Sequence, residues 1–292
     1  MNSDGHFSMK RWIKDVGAAT LGRWGARDRA RRVVVLCYHS VHPSKPFSSA
    51  TPELFEAHLR WLRERCEIVR FAQVMEALRH GDGRKPAVAI TFDDGYADNY
   101  ENAFPLMEKY GVKATFFLTV GFLEKDPEVT HRFARIRQVR SEDVAALEWS
   151  QVREMRSAGM DAGTHTYSHP NLARLDPTAA MKELAWSKEI MQQRLGEPVR
   201  LMAYPFGKPR VHFTAETQRL AVAAEYECAA SVLFRAVRAG DSPLAIPRFF
   251  VAKDDVETLA KKVLGAWDFL GWWQESAPLA VSRLVSPKDF VQ

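Results

Sequence analysis

Cysteine is scarce in this chain of 292 residues, and the three present, Cys37, Cys66 and Cys228, are odd in number, far apart and in no Cys-x-x-Cys pairing. That excludes a disulfide framework and a thiolate zinc site, and leaves three apolar side chains suited to a reducing compartment. No run of 18 apolar residues occurs, so nothing reads as a membrane span. Near the N-terminus, Gly17, Gly22, Arg23 and Gly25 interrupt the stretch where a secretory signal would need its apolar core. The chain reads as cytoplasmic. No Pro/Gly/Ser-rich linker and no repeat divides it, and single α/β barrels commonly reach this size. The expected organisation is a basic arm over 1–32, one main domain over 33–251, and a C-terminal helix and tail over 252–292.

Excess positive charge is missing from the body of the chain. Residues 1–32 hold Lys10, Arg11, Lys14, Arg23, Arg27, Arg29, Arg31 and Arg32 against Asp4, Asp15 and Asp28, which accounts for the whole net charge of +5. The remainder is neutral, which argues against a nucleic-acid-binding protein. Trp12, Ile13, Val16, Thr20, Leu21 and Trp24 recur at helical spacing between the basic residues. That pattern suits a helix on an anionic membrane surface, a peripheral contact at the inner membrane face. Three glycines in the same stretch favour instead a plain basic tail.

What is present is alternation. Apolar, β-rich runs lie at 33–38, 87–92, 114–120, 160–164, 201–204 and 228–233, most of them continuous rather than alternating, as in strands buried on both faces of a parallel sheet. Helical patterns fall between them, at 52–66, 71–79, 99–110, 149–158, 177–195 and 214–225. Residues 121–148 read as a long polar loop with a short helix around 139–147. Val256, Leu259, Val263, Trp267 and Leu270 mark a terminal helix, with Trp272 and Trp273 after it. Such an order implies an α/β fold, either a βα barrel or a doubly wound sheet, in which ligands bind beyond the carboxyl ends of the strands.

Acids and imidazoles sit at those ends. Thr91-Phe92-Asp93-Asp94-Gly95 closes a strand with adjacent carboxylates. Consecutive strand side chains point opposite ways, so both can face one site only if the chain turns there, and Gly95 permits the turn. His165-Thr166-Tyr167-Ser168-His169-Pro170 follows another strand. Two imidazoles four apart, with one carboxylate, make a His₂-carboxylate ligand set that leaves positions open for water and substrate. The second Asp is then free to act as a base.

These two segments resemble the first two motifs of the polysaccharide deacetylases, the NodB-homology group of carbohydrate esterases (family 4), and the similarity runs over about 33–251. It includes Tyr38-His39, Ala203-Tyr204-Pro205-Phe206-Gly207 and Pro247-Arg248. The resemblance implies a distorted, incomplete (β/α) barrel and metal-assisted removal of an N-acetyl group from an amino sugar. It further implies that Asp94, His165 and His169 bind the metal, zinc or else cobalt or nickel, and that Asp93 is the general base. An oxyanion is stabilised near Tyr204 and Phe206, through a backbone N–H at Phe206, and Tyr167 and Phe206 offer rings for a sugar face.

Two departures from the commoner pattern shape the remaining expectations. Many members take the leaving-group proton from a histidine in a Leu-x-His segment, where this chain reads Leu244-Ala245-Ile246. A subgroup resembling exopolysaccharide deacetylases carries Tyr-His on the first strand, so His39 is expected as general acid, against the reading of a strand-end histidine satisfying a carbonyl. Ala203 stands where many members have an arginine that orients the base. A cation is then needed for Asp93, and Arg248 is expected to supply it rather than to lie on the surface. The substrate is expected to be an N-acetylated saccharide, as a polymer or a lipid-linked precursor. Two alternatives are an N-formyl deformylase and a carbohydrate-binding protein on the same scaffold that has lost catalysis.

Overall fold

Six consecutive apolar residues form β1, Val33–Tyr38, which is buried along its whole length, as a strand covered on both faces must be. It belongs to the sheet of a computed structural model that describes residues 32–80 and 84–276. The other strands are β2 (Glu67–Ile68), β3 (Ala87–Asp94), β4 (Thr115–Leu118), β5 (Asp161–Thr164), β6 (Leu201–Ala203), β7 (Cys228–Ala230) and β8 (Phe249–Phe250). They run in the order β7-β6-β5-β4-β3-β1-β8 with β2 beside β3, and every pairing between them is parallel.

Residues 246–250 curl this sheet. Ile246 bridges Ala230 at one edge, whereas Phe249 and Phe250 pair with Leu36 and Cys37 towards the other. One segment thus touches both edges, and the sheet becomes the incomplete barrel that the sequence led us to expect. The period-two alternation of strands sorts side chains into layers. Val33, Val35, Ala87 and Ala89 join Phe117, Ala203 and Ala230 in one cluster. Val34, Leu36, Val88 and Ile90 pack in another, with Phe55, Leu59 and Leu62.

Those last three belong to α1 (Pro52–Arg65), which starts where the Thr51 hydroxyl accepts the Leu54 N–H and Pro52 takes the first turn. Then come α2 (Val74–His80), α3 (Phe104–Tyr110), α4 (Val120–Leu123), α5 (Pro127–Arg137), α6 (Trp149–Ser157), α7 (Pro177–Leu195), α8 (Ala215–Ala223), α9 (Val256–Val263) and α10 (Asp268–Ser276).

Between residues 121 and 148 the structure corrects the sequence reading. The helix there is α5, and 139–147 contains only the short turn Ser141–Asp143. Asp126 explains the start of α5: its carboxylate accepts the N–H groups of Glu128 and Val129, with Pro127 at the first position. The strand expected over 114–120 stops at Leu118 because α4 begins at Val120. Trp272 and Trp273 lie within α10 rather than after it. Cys37, Cys66 and Cys228 are all free thiols. Among the described residues no helix is long and apolar enough to cross a membrane. The arm and the tail lie outside the described residues except for Arg32, whose guanidinium binds both oxygens of Asp268 at 2.7 and 2.9 Å.

Candidate active site

Asp93 continues the face of β3 that carries Ala87 and Ala89, so it points into the barrel without special geometry. Asp94 belongs to the opposite face and is redirected by its backbone. Its φ is 79°, and Gly95 follows at 92°, two successive left-handed residues of which only the second is glycine. The turn expected at Gly95 therefore begins one residue earlier.

Arg248 meets Asp93 inside the barrel. Its Nη1 and Nη2 donate to Oδ1 and Oδ2 at 2.6 and 2.7 Å, while Nη1 also reaches the Thr91 hydroxyl and Nε the Ser231 carbonyl, each at 3.0 Å. Arg248 is fully buried, so this bidentate pair is shielded from screening. Burial alone would push the Asp93 carboxyl up, but the guanidinium overrides it and holds the group down at about 2. Asp93 is ionised at neutral pH.

Asp94, His165 and His169 converge on one point, with donor atoms all within 4.8 Å of one another. His165 Nδ1 donates to the Ala203 carbonyl at 2.8 Å, which fixes the tautomer and leaves the lone pair on Nε2. That Nε2 lies 3.7 Å from Asp94 Oδ1, and His169 Nε2 lies 3.5 Å from the same oxygen. Asp94 Oδ1 itself is buried without a hydrogen-bond partner. Two imidazole nitrogens facing an orphaned carboxylate oxygen make a three-donor set that fits a divalent cation. His169 and Thr166 hold positive φ angles of 55° and 65°, strain that the loop carries to bring the second imidazole back beside the first.

Cys37, His39 and Asp93 form a second group with donors within 4.8 Å of one another. Both oxygens of Asp93 are taken by Arg248, and Cys37 Sγ points at Oδ2 from 3.4 Å. A second cation there would face a buried guanidinium, so this group is better described as a base and its neighbours. His39 is buried, and burial lowers its imidazole to about 4. It is held by its main chain: Asn99 Nδ2 donates to its carbonyl at 2.6 Å and its N–H donates to Ser49 Oγ at 2.9 Å. Its Nδ1 has no partner.

These groups surround a cavity of about 20 Å³ closed by Phe133, Ile136, Arg137, Phe206, Val232 and Phe250, room for an ion or a water but not a sugar. Ile136, Arg137 and Phe250 also line an adjoining cleft of about 660 Å³, whose walls include Phe47, Phe234, Phe249 and Trp273.

Of the residues expected around the substrate, Phe206 is in place: its φ is 60° and its ring meets His169 edge-on at 4.7 Å. Tyr204 and Tyr167 are not. Tyr204 is buried against Phe213, its hydroxyl donates to the Leu244 carbonyl at 3.0 Å and its N–H to the Ala230 carbonyl at 3.1 Å, so neither group is left for an oxyanion. Tyr167 stacks on Trp186 at 4.0 Å and donates to Asp126, away from the cavity. Sequence reasoning missed Arg137, which donates to Asp94 Oδ2 and to the Tyr96 hydroxyl, each at 2.7 Å. The Asp126-Pro127-Glu128 motif signals the start of a helix here, but not that it ends at Arg137.

The family model described as polysaccharide deacetylase matches residues 80–229. The chain is 28% identical over 207 residues to the putative polysaccharide deacetylase YxkH of Bacillus subtilis (strain 168), covering 70% of this chain and 66% of that protein. It is 25% identical over 232 residues to a poly-beta-1,6-N-acetyl-D-glucosamine N-deacetylase of Staphylococcus aureus (strain MRSA252), covering 75% of this chain and 72% of the other. Among solved structures, IcaB from Ammonifex degensii superposes with a TM-score of 0.66 at 25% identity, covering 80% of this chain and 97% of that one. The fold is likewise that of the Streptococcus pyogenes deacetylase PplD in complex with acetate, with a TM-score of 0.67, 24% identity and coverage of 80% and 98%. A parallel half-barrel with this cluster at its strand ends is a hydrolase of non-peptide C–N bonds. Within that class, the chain belongs to the polysaccharide deacetylase family.

Proposed function

We propose that the protein is a metal-dependent N-deacetylase of an amino sugar in a polysaccharide or its lipid-linked precursor. The observation that carries this reading is an ionised Asp93, gripped by Arg248, beside the converging donors of Asp94, His165 and His169. Those three would hold the ion, with zinc the first choice and cobalt or nickel compatible with the same donors. When bound, the ion supplies Lewis acidity to the acyl carbonyl and to water.

Asp93 is the base. A water oxygen adds to the acyl carbon, one of its protons passes to Asp93, and Arg248 keeps that carboxylate aimed and deprotonated until then. His39, whose ring nitrogen lies within 4.8 Å of an Asp93 oxygen, gives the leaving nitrogen its proton as the C–N bond breaks. Its imidazole rests neutral, so the proton it gives is the one Asp93 took from water, passed from the carboxyl to His39 as negative charge builds on the acyl oxygen and favours the imidazolium. Asp93 is thereby returned to its ionised form. The Phe206 backbone N–H is the candidate donor to that oxygen.

The name of the Staphylococcus aureus relative points to N-acetylglucosamine residues. The aromatic walls of the larger cleft suit either a sugar face or the apolar carrier of a lipid-linked saccharide, and the latter goes with a cytoplasmic enzyme at the inner membrane face. The test is product release from defined β-1,6-linked N-acetylglucosamine oligomers, from their N-formyl analogues and from lipid-linked saccharides, with and without zinc. Zinc-dependent acetate supports the reading, and formate alone would make the enzyme a deformylase. No product from metal-loaded protein leaves a carbohydrate-binding scaffold.

A further inference from the structure

Arg137 closes α5 with its guanidinium inside the active site. It is almost buried, and it donates to Asp94 Oδ2 and the Tyr96 hydroxyl at the same distance of 2.7 Å. The rings of Phe47 and Tyr96 lie 5.5 and 5.6 Å from its central carbon, so the cation is held on several sides. The oxygen that Arg137 takes is not the one facing the imidazoles: Oδ1 faces both His165 and His169 and has no hydrogen-bond partner.

We infer that Arg137 is a positioning residue that restricts Asp94 to one metal-binding oxygen and holds down the affinity of the site for its ion. The inference rests on the metal-dependent reading above. The three donors bring a single negative charge, and Arg137 offsets it from the far side of the same carboxylate. A dication on Oδ1 and a guanidinium on Oδ2 each weaken the attraction of Asp94 for the other, strongly so in a buried site. Asp94 then gives less electron density to the ion, which stays a better Lewis acid, and the blocked oxygen cannot fill a position that water or substrate needs.

Direction separates this from a merely structural role. Removing a neutral hydrogen-bonding partner behind a metal ligand loosens metal binding, by about 10- to 100-fold. Removing a competing cation tightens it. The experiment is zinc affinity by competition with a chromogenic chelator on the full chain, with the visible spectrum of the cobalt-loaded protein as a second readout. Arg137→Met is expected to bind zinc about 10-fold tighter than the unsubstituted protein and to change the cobalt spectrum as the second Asp94 oxygen joins. Arg137→Lys, which keeps the charge, should stay within about twofold. If circular dichroism shows that Arg137→Met does not fold, Arg137→Gln removes the charge while keeping a donor, and carries the same expectation. Unchanged or weaker binding by the neutral variant, or an unchanged cobalt spectrum, overturns the inference. Failure of the unsubstituted protein to bind zinc at all overturns the metal-dependent reading, and the inference with it.

Discussion

The guanidinium of Arg248 and the carboxylate of Asp93, 155 residues apart, form two parallel hydrogen bonds of 2.6 and 2.7 Å inside the barrel. Their meeting follows from topology. Ile246 pairs with β7 and Phe249 with β1, so Pro247 and Arg248 between them span the gap between the sheet edges, and the Arg248 side chain is buried in the interior. The segment that completes the barrel also delivers the cation.

Removing that cation strands a buried charge. Arg248→Met is expected to lower the unfolding free energy at pH 7 by about 3 to 5 kcal/mol, read from urea denaturation. The difference should shrink in acid. Because the folded pKa of Asp93 is depressed to about 2, the pair stabilises fully above the ordinary carboxylate value and loses its contribution as the pH falls towards 2. A gap between the two proteins that is as wide at pH 3 as at pH 7 would contradict the pairing. Arg248→Lys should not rescue, since one ammonium cannot replace the fork.

His39 is separable from the metal ligands. His39→Asn is expected to retain bound zinc, measured by elemental analysis, while turnover falls by about 10² to 10⁴. Unimpaired turnover would remove His39 from the reaction, and loss of zinc would make it a ligand or a support for one.

Much of this arrangement was legible in the sequence, for a physical reason. Asp93, Asp94, His165 and His169 are chemically distinctive residues directly after apolar runs, and strand ends are where parallel sheets put ligands. Arg248 was legible as a need: a base requires a cation, and Ala203 supplies none. Arg137 was not, because its role depends on where a helix of 11 residues ends, and the polar composition of 121–148 hid the helix. Strands β2 and β8 have two residues each, too few for any periodicity. Tyr167 misled because its ring partner, Trp186 on α7, is set by tertiary packing.

Acid should destabilise the metal-free protein earlier than carboxylates alone would cause. Burial lowers His39 to about 4 and His169 to about 3. The unfolded chain therefore binds more protons below about 6.5, the ordinary histidine value. Stability is full above that pH and declines as the pH falls through 4 towards 3. For His39 the shift corresponds to about 3 kcal/mol. Thermal melts between pH 7 and 4 in the presence of a chelator test this, and His39→Gln should flatten the decline. Superimposable curves for the two proteins would refute it.

Tyr204 and Tyr167 should affect stability rather than substrate. Tyr204→Phe removes a buried hydroxyl that donates to the Leu244 carbonyl at 3.0 Å. Leaving that carbonyl without its donor is expected to cost about 1 to 3 kcal/mol, seen as a lower melting temperature, with KM for an N-acetylglucosamine oligomer unchanged. Tyr167→Phe removes a bond to the half-exposed Asp126 and keeps the stack on Trp186, so its cost should stay below about 1 kcal/mol. A several-fold rise in KM for either variant, with the melting temperature unmoved, would place that tyrosine against the sugar and mean that the site rearranges when substrate binds.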